Sequence, residues 1–267
     1  MKILTLNTHS LVETNAQWKR KETAAFIVKH MPDVIALQEV NQSKNAEKIA
    51  NNVFPDTYIR EDNYAYQLVK DLEALGHSYR YVYLPIKIGY GCYDEGLAIL
   101  SKHPILQVEQ LPLSEIRDYT NWKKRDALGV QICYQNEIFW FYSVHMGWWD
   151  DEVEAFLPQW QKLRKHLSQK AEKVYLAGDF NAPSHMEQQS YTTILKDGYY
   201  DTYQLAAHKV GHDTTLENID GWKQSKGMRI DYIFINQKSS VLSSQVVLDG
   251  KNGPIVSDHY GILMEEL

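Results

Sequence analysis

Asp179 and Asn181 lie two residues apart in the stretch 173–184, directly after the short apolar run Val174 to Ala177 and Gly178. The run reads as a buried strand that stops abruptly ahead of Pro183. Side chains alternate along an extended backbone, so Asp179 and Asn181 leave the strand end on one side while Phe180 turns back into the protein. Two oxygen-bearing side chains on a rigid edge can hold a hard cation, or a water beside a phosphate. Alone, the stretch is a weak signal, because Gly, Asp and Asn are also ordinary turn residues.

The case for chemistry comes from other positions with the same placement. Asn7, Glu39, His145, Asp231 and the pair Asp258 and His259 all fall at, or next to, the ends of apolar runs. Each has a plainer reading when taken singly. Asn7 can cap a turn, Glu39 can lie on the surface, His145 can be a hydrogen-bonded core histidine, and Asp231 can pair with Arg229. A charged Glu39 in so apolar a run is unusual, since burying it unpaired is costly. Together these residues supply oxygen ligands and two imidazoles, the inventory for metal-assisted phosphoester hydrolysis.

The elements that must position them follow from pattern. Residues 2–6 read as a strand ending at Asn7, and helical spacing over 15–30 (Trp18, Ala24, Ile27, Val28) ends at Pro32. Residues 33–40 form a second buried strand with Glu39 at its end. Two helices are expected near 43–53 and 63–75, the second with Leu68, Leu72 and Leu75 on one face and Gly76 as its stop. Strands at 79–88 and 96–100 flank an aromatic loop, 89–94. After His103 and Pro104 comes a further strand, then a loop, 117–125, dense in cations and aromatics. Residues 127–134 and 137–145 read as a hairpin ending at His145. A loop over 146–151 precedes a helix whose first turn tolerates Pro158. A helix near 187–196, strands at 229–235 and 241–248, and a closing strand complete the chain. Strands outnumber the interspersed helices, which predicts an α/β layered architecture with sheets packed inside.

No linker or low-complexity tract divides the 267 residues, so one domain over 1–267 is expected. The net charge of -6 and pI near 5.9 count against a long polyanionic partner such as nucleic acid. A small phosphorylated substrate stays compatible, because a bound divalent cation dominates its local field. The two cysteines, Cys92 and Cys133, lack CxxC spacing, which argues against a disulfide framework or a thiolate metal site. The first apolar segment is too short for a signal peptide and no run approaches a membrane span, so the cytoplasm is the expected location.

The motifs TLNTH (5–9), LQEV (37–40), SVH (143–145), GDFN (178–181), RIDYIF (229–234) and SDHYG (257–261) together resemble the motif series of the endonuclease/exonuclease/phosphatase superfamily, to which DNase I belongs. The match spans almost the whole chain. It is specific for fold and chemistry but not for substrate. The resemblance implies a DNase I-like four-layer α/β/β/α sandwich, two packed mixed β-sheets flanked by helices, with the site on one edge. It further implies that Glu39 is the principal Mg2+ ligand, with Asn7 and Asp258 beside it, and that Mn2+ can take the place of Mg2+. His259 matches the general base and Asp231 the carboxylate that orients it. His145 matches a residue that binds a phosphoryl oxygen, and Asp179 and Asn181 match the pair that positions water and phosphate or holds a second metal. Phosphate-monoester hydrolysis can demand acceleration on the order of 10²¹, whereas a positioned base gives about 10² to 10⁴, so metal and hydrogen-bond stabilisation must carry most of the rest. One departure is His9, where the abasic-site nucleases carry an acid, and it weakens a two-metal assignment.

Specificity must come from loops. Tyr90, Tyr93, Tyr119, Trp122, Trp148, Trp149 and Trp222 all fall in loops near strand ends, where flat faces can stack on sugar rings or bases, or simply fill the loop core. From this set Tyr90, Trp122, Trp148, Trp149 and Trp222, with Arg125 as a phosphate contact, are taken as substrate-binding candidates. Within the superfamily the segments LNTHS, LQEVNQ, DEGLAILSKHPI, VHMGWW and IDGW are most similar to cytoplasmic maltose 6'-phosphate phosphatases of Gram-positive bacteria. That resemblance implies a sugar phosphate as substrate, with neither membrane nor nucleic acid as partner. The alternative is a phosphodiesterase of the sphingomyelinase or DNase I type acting on lipid or nucleic acid. A basic groove or a membrane-inserting apolar hairpin would mark such an enzyme, and the sequence has neither.

Overall fold

The strands that carry the motifs alternate strictly between two apolar environments. Ile3, Val34, Ala36, Phe139, Phe141, Tyr175, Ala177, Ile233 and Ile235 share one buried cluster, whereas Leu4, Leu6, Ile35 and Leu37 face a second and Trp140, Tyr142, Val174 and Leu176 a third. A strand apolar on both faces must be covered on both, and this dictates layers.

A computed structural model describes residues 1–267. In chain order it runs β1 (Lys2–Asn7), α1 (Ala16–His30), β2 (Val34–Ser43), β3 (Lys48–Asn51), β4 (Tyr58–Arg60) and α2 (Tyr64–Ala74). Next come β5 (Arg80–Gly89), β6 (Tyr93–Ser101), β7 (Ile105–Pro112), β8 (Asp126–Tyr134), β9 (Glu137–His145), α3 (Phe156–Leu167) and β10 (Lys173–Asp179). The remainder is α4 (Ser190–Lys196), β11 (Tyr200–Asp201), α5 (Thr202–Leu205), β12 (His208–Val210), β13 (Asp231–Ile235), β14 (Val241–Val247) and β15 (Gly261–Glu266). One sheet has the order β12-β14-β15-β1-β2-β6-β5 and the other β11-β13-β10-β9-β8-β7. Their facing sides make the central cluster. The helices α1 and α2 cover the outer face of the first sheet through Ala24, Ile27, Ala65 and Leu68, and α3 and α4 cover the second through Phe156, Trp160, Leu163 and Ile194. This is the expected four-layer sandwich. No helix is long and apolar enough to cross a membrane.

One expected element is absent. Residues 43–53 are not helical: β2 continues to Ser43, and Lys48–Asn51 pairs antiparallel with β4 as a small exposed hairpin. All four residues of β3 are exposed, so there is no apolar face that would hold a helix there. The other expected helices and the strands that carry motifs fall within a few residues of their places.

Each sheet has a parallel pair at its centre, β1 with β2 and β9 with β10. Both pairs run to the same edge of the sandwich, where Asn7 lies opposite Gln38 and Asp179 opposite His145. The carboxyl ends of parallel strands commonly form ligand crevices. Just beneath this edge, Gln38 Nε2 donates to Ser143 Oγ at 3.0 Å, and Ser143 Oγ donates to the Leu37 carbonyl at 3.2 Å. These buried hydrogen bonds tie the sheets together immediately below the residues of interest.

Candidate active site

Strand parity places four of the motif residues. Asn7 continues the inward set of β1, His145 that of β9, Asp179 that of β10, and Asp231 opens β13 two residues ahead of inward-facing Ile233. The site is therefore the last layer of the inter-sheet core, built of polar residues where the apolar layers stop. Glu39 would point outward by parity. A bulge against β6 between Leu37 and Val40, with Glu39 at φ 51°, re-aims it toward the others. Gly178 is required where it stands: its φ is +148°, and a Cβ there would come within 2.0 Å of the Val144 carbonyl oxygen.

Asn7 Nδ2 donates to Glu39 Oε1 at 2.9 Å and to Asp179 Oδ2 at 3.2 Å, so two carboxylates converge on one amide. Burial pushes both carboxyl groups upward, Asp179 to about 7, with Asp231 adding to its rise and His259 opposing it. His259 Nδ1 lies 2.9 Å from Asp231 Oδ2, and its Nε2 lies 3.8 Å from Asp179 Oδ2. Burial alone would lower His259, but Asp231 and Asp179 outweigh it and raise the imidazole well above its ordinary value. His145 goes the other way. Burial first, then the charges of Arg125, Lys87 and His259, hold it well below, so its ring is neutral, with Nε2 at 3.6 Å from Asp179 Oδ2.

The His259–Asp231 pair is held from behind by a segment that the sequence did not single out. Thr214, fully buried, donates from Oγ1 to Asp231 Oδ2 at 2.7 Å and accepts from the backbone N–H of Ile230 and of Asp231. The same segment pairs with the chain around His259, through Tyr260 N to the Thr214 carbonyl and Leu216 N to the Asp258 carbonyl. Ser257 Oγ donates to Asp258 Oδ1 and accepts from His259 N.

Fitness for a cation can be judged from the donors. Buried carboxylates whose protonation is favoured for want of compensating charge, beside an amide and Asp258, are the hard oxygen donors that a divalent ion such as Mg2+ takes. Two groups bring ligand atoms within 4.8 Å of one another, His9 with Glu13 and Asp258, and Asp179 with Asp231 and His259. Glu39 stands outside both and is joined to Asp179 through Asn7. Asp231 Oδ1 is buried without a partner.

A cavity of about 540 Å³ opens over these groups. Glu39, His145, Asp179, Asn181, Asp258 and His259 line it, together with Arg125, Tyr90, Trp122 and Trp148 from the loops. Asn7 and Asp231 lie beneath the lining. Trp149 does not reach it and packs on Phe156 with ring centroids 6.2 Å apart. Trp222 also stands behind the lining, its indole N–H donating to Asn181 Oδ1 at 2.8 Å. Tyr93 and Tyr119 lie outside the cavity lining, and Tyr119 bonds Asp94.

Sequence reasoning missed Lys87 and Glu95, a buried ion pair at 3.0 Å in the cavity wall. Glu95 could have been found, since it extends the inward-facing series of Leu97 and Ile99 on β6. It named Tyr90 for the cavity but not the contacts that make the rim. His9 Nε2 lies 2.9 Å from Tyr90 Oη, and Tyr90 donates to Asp220 Oδ2 at 3.2 Å, which joins three loops across the mouth. Arg125 is buried, stacks 5.8 Å from the Trp148 ring centroid, gives Nη1 to the carbonyls of Trp122 and Lys124, and keeps Nε without a partner.

Comparison with known proteins agrees with this geometry. The endonuclease/exonuclease/phosphatase family model matches residues 4–259. A solved endonuclease/exonuclease/phosphatase family protein from Leptotrichia buccalis is 33% identical, with a TM-score of 0.90 and coverage of 100% of this chain and 99% of that one. More distant structures share the fold alone. A mannosyl-6-phosphatase from Bacteroides thetaiotaomicron is 17% identical at a TM-score of 0.68, covering 100% and 99% of the two chains. D. rerio TDP2, complexed with a single-strand DNA product, is 16% identical at 0.63, covering 99% and 97%. No curated protein matched the sequence.

Proposed function

The chain belongs to the endonuclease/exonuclease/phosphatase family, and from that premise we propose that it is a divalent-cation-dependent phosphatase that releases inorganic phosphate from a small sugar phosphate such as maltose 6'-phosphate. The fold alone hosts monoester and nucleic-acid chemistry alike. What supports the narrower reading is the cavity: about 540 Å³, with Tyr90, Trp122 and Trp148 in its walls and the His9–Tyr90–Asp220 hydrogen bonds spanning its mouth. Such a cleft suits a compact polyhydroxyl leaving group between aromatic faces. A nucleic-acid strand needs an open basic groove, and the net charge is -6.

In this reading Glu39, Asn7 and Asp258 would hold the cation. Bound there, Mg2+, or Mn2+ in its place, would supply positive charge to the phosphoryl oxygens. The cation's charge would offset the carboxylates that raise His259 and leave its imidazole neutral, so that Nε2 takes a proton from water beside Asp179 while Asp231 keeps the other proton on Nδ1. The water oxygen bonds to phosphorus, the ester P–O bond breaks, and the leaving sugar oxygen gains a proton from solvent. Neutral His145 and the amide of Asn181 donate to phosphoryl oxygens, and Arg125 in the cavity wall adds positive charge beside them.

The test is phosphate release across a panel of sugar phosphates, a nucleotide, sphingomyelin and plasmid DNA, with Mg2+ or Mn2+ and with EDTA. Expected is metal-dependent release from a sugar phosphate and none with EDTA. Cleavage of plasmid or of sphingomyelin without monoester hydrolysis contradicts the proposal and favours a phosphodiesterase.

A further inference from the structure

Trp222 is a loop aromatic of the kind that stacks on sugars, yet the structure gives its polar atom a different employment. Its indole N–H, which can only donate, meets Asn181 Oδ1 at 2.8 Å. On the other side of the same amide, Asn181 Nδ2 donates to the Met146 carbonyl at 3.0 Å, a group that can only accept. Rotating the amide by half a turn would set N–H against N–H and oxygen against oxygen. The two partners therefore fix one orientation. In that orientation the Asn181 oxygen accepts from the indole, and the second hydrogen on Nδ2 has no protein partner. Asn181 is buried, lines the cavity and is pinned in a left-handed backbone conformation (φ 47°), with its own N–H on Asp179 Oδ1 at 2.9 Å. The amide is thus held at both ends, its oxygen by Trp222 and its nitrogen by the Met146 carbonyl.

The loop that carries Trp222 is itself tied down on both sides of the indole. Gly221, at φ +81°, packs so closely on Trp148 that a Cβ would meet the indole ring at 2.4 Å, and Asp220 accepts from Tyr90. On the inner side, Trp222 packs with Leu216 against Ile219, Met228 and Ile230. The ring is thus held by apolar contacts and its N–H is aimed by them.

We infer that Trp222 is a positioning residue for the reaction: its indole N–H sets the Asn181 amide so that an N–H, rather than an oxygen, faces the phosphoryl group, and it makes no contact with the leaving group. This rests on the phosphatase reading above. Were the amide reversed, its oxygen would face an anion, and the donor would be lost from the place where negative charge develops.

Trp222→Phe keeps an aromatic ring in the apolar pocket and removes the N–H, and Trp222→Ala removes both. Each is measured with p-nitrophenyl phosphate, whose leaving group is not a sugar, and with the best sugar phosphate from the panel. The expected result is a loss of about tenfold in kcat for Trp222→Phe on both substrates, the size of one hydrogen bond, with KM within about twofold. A wild-type kcat in Trp222→Phe, or a loss confined to KM for the sugar phosphate, overturns the inference and makes Trp222 a filler or a sugar-stacking residue. If the wild-type protein hydrolyses neither monoester, it is the phosphatase reading that fails. An unchanged melting temperature in Trp222→Phe separates the kinetic loss from misfolding.

Discussion

Replacing Thr214 by Val tests whether the base pair of the site is held from behind as the geometry requires. Valine nearly matches threonine in shape, so no cavity is made, and the change isolates the hydroxyl. That hydroxyl donates to Asp231 Oδ2 at 2.7 Å, the oxygen that also meets His259 Nδ1 at 2.9 Å, and it accepts from Ile230 N at 3.1 Å and Asp231 N at 3.2 Å. A hydrogen bond to a charged group contributes about 1.5–3 kcal/mol, and a buried N–H left without its acceptor costs about 1–3 kcal/mol more. Since these contacts share one hydroxyl and do not add independently, a loss of about 3 kcal/mol is expected rather than the sum. At about 2–4 °C per kcal/mol for a chain of this size, the melting temperature should fall by about 6–12 °C. The freed carboxylate no longer holds His259 in register, so kcat should fall by about tenfold or more while KM changes little. Thr214→Ser restores the hydroxyl and should recover most of both losses. A Thr214→Val protein that melts and turns over like wild type, or a Ser variant as impaired as Val, refutes the reasoning.

Two further outcomes follow from the geometry. Gly178→Ala forces a Cβ to within 2.0 Å of the Val144 carbonyl at a φ of +148°, so it should cost about 4 kcal/mol or more, read as a collapsed denaturant midpoint; a near-native midpoint would remove the steric account. The His9–Glu13 pair predicts a pH window. Burial works against the charge on each, but the hydrogen bond between them, together with Asp258 for His9 and Lys19 for Glu13, raises His9 to about 9 and lowers Glu13 to about 2. The raised histidine stabilises the fold fully below about 6.5 and loses this as pH rises through about 9; the depressed glutamate does so above about 4.5 and loses it as pH falls through about 2. The stability gap between wild type and Glu13→Gln should be widest between those inner values and shrink toward pH 9, and a gap that stays flat across that range contradicts the pairing.

Much of the site was legible in the sequence because the apolar runs stop where the polar residues begin. Asn7, His145 and Asp179 continue the inward parity of their strands, so a reader of periodicity arrives at one rim without knowing the topology. What parity could not supply was the bulge that turns Glu39 inward, which depends on β6 pairing across a gap at residues 38 and 39. Lys87 and Glu95 escaped notice for the opposite reason: they lie within strands, where a charge interrupts a pattern instead of ending it. The helix expected over 43–53 does not form because Lys48–Asn51 is exposed throughout and offers no apolar face for a neighbour to cover. Trp149 and Trp222 show the limit of loop composition. An aromatic in a loop near the site can face the cavity, as Trp122 and Trp148 do, or brace its wall, and only packing decides.

The central claim is that this rim directs water at phosphorus. Hydrolysis of the preferred sugar phosphate in H2¹⁸O with Mg2+ tests it most directly, by mass spectrometry of both products. The account predicts one labelled oxygen in the released phosphate, none in the sugar, and no turnover once EDTA is added. Label in the sugar, or undiminished release in EDTA, would contradict it.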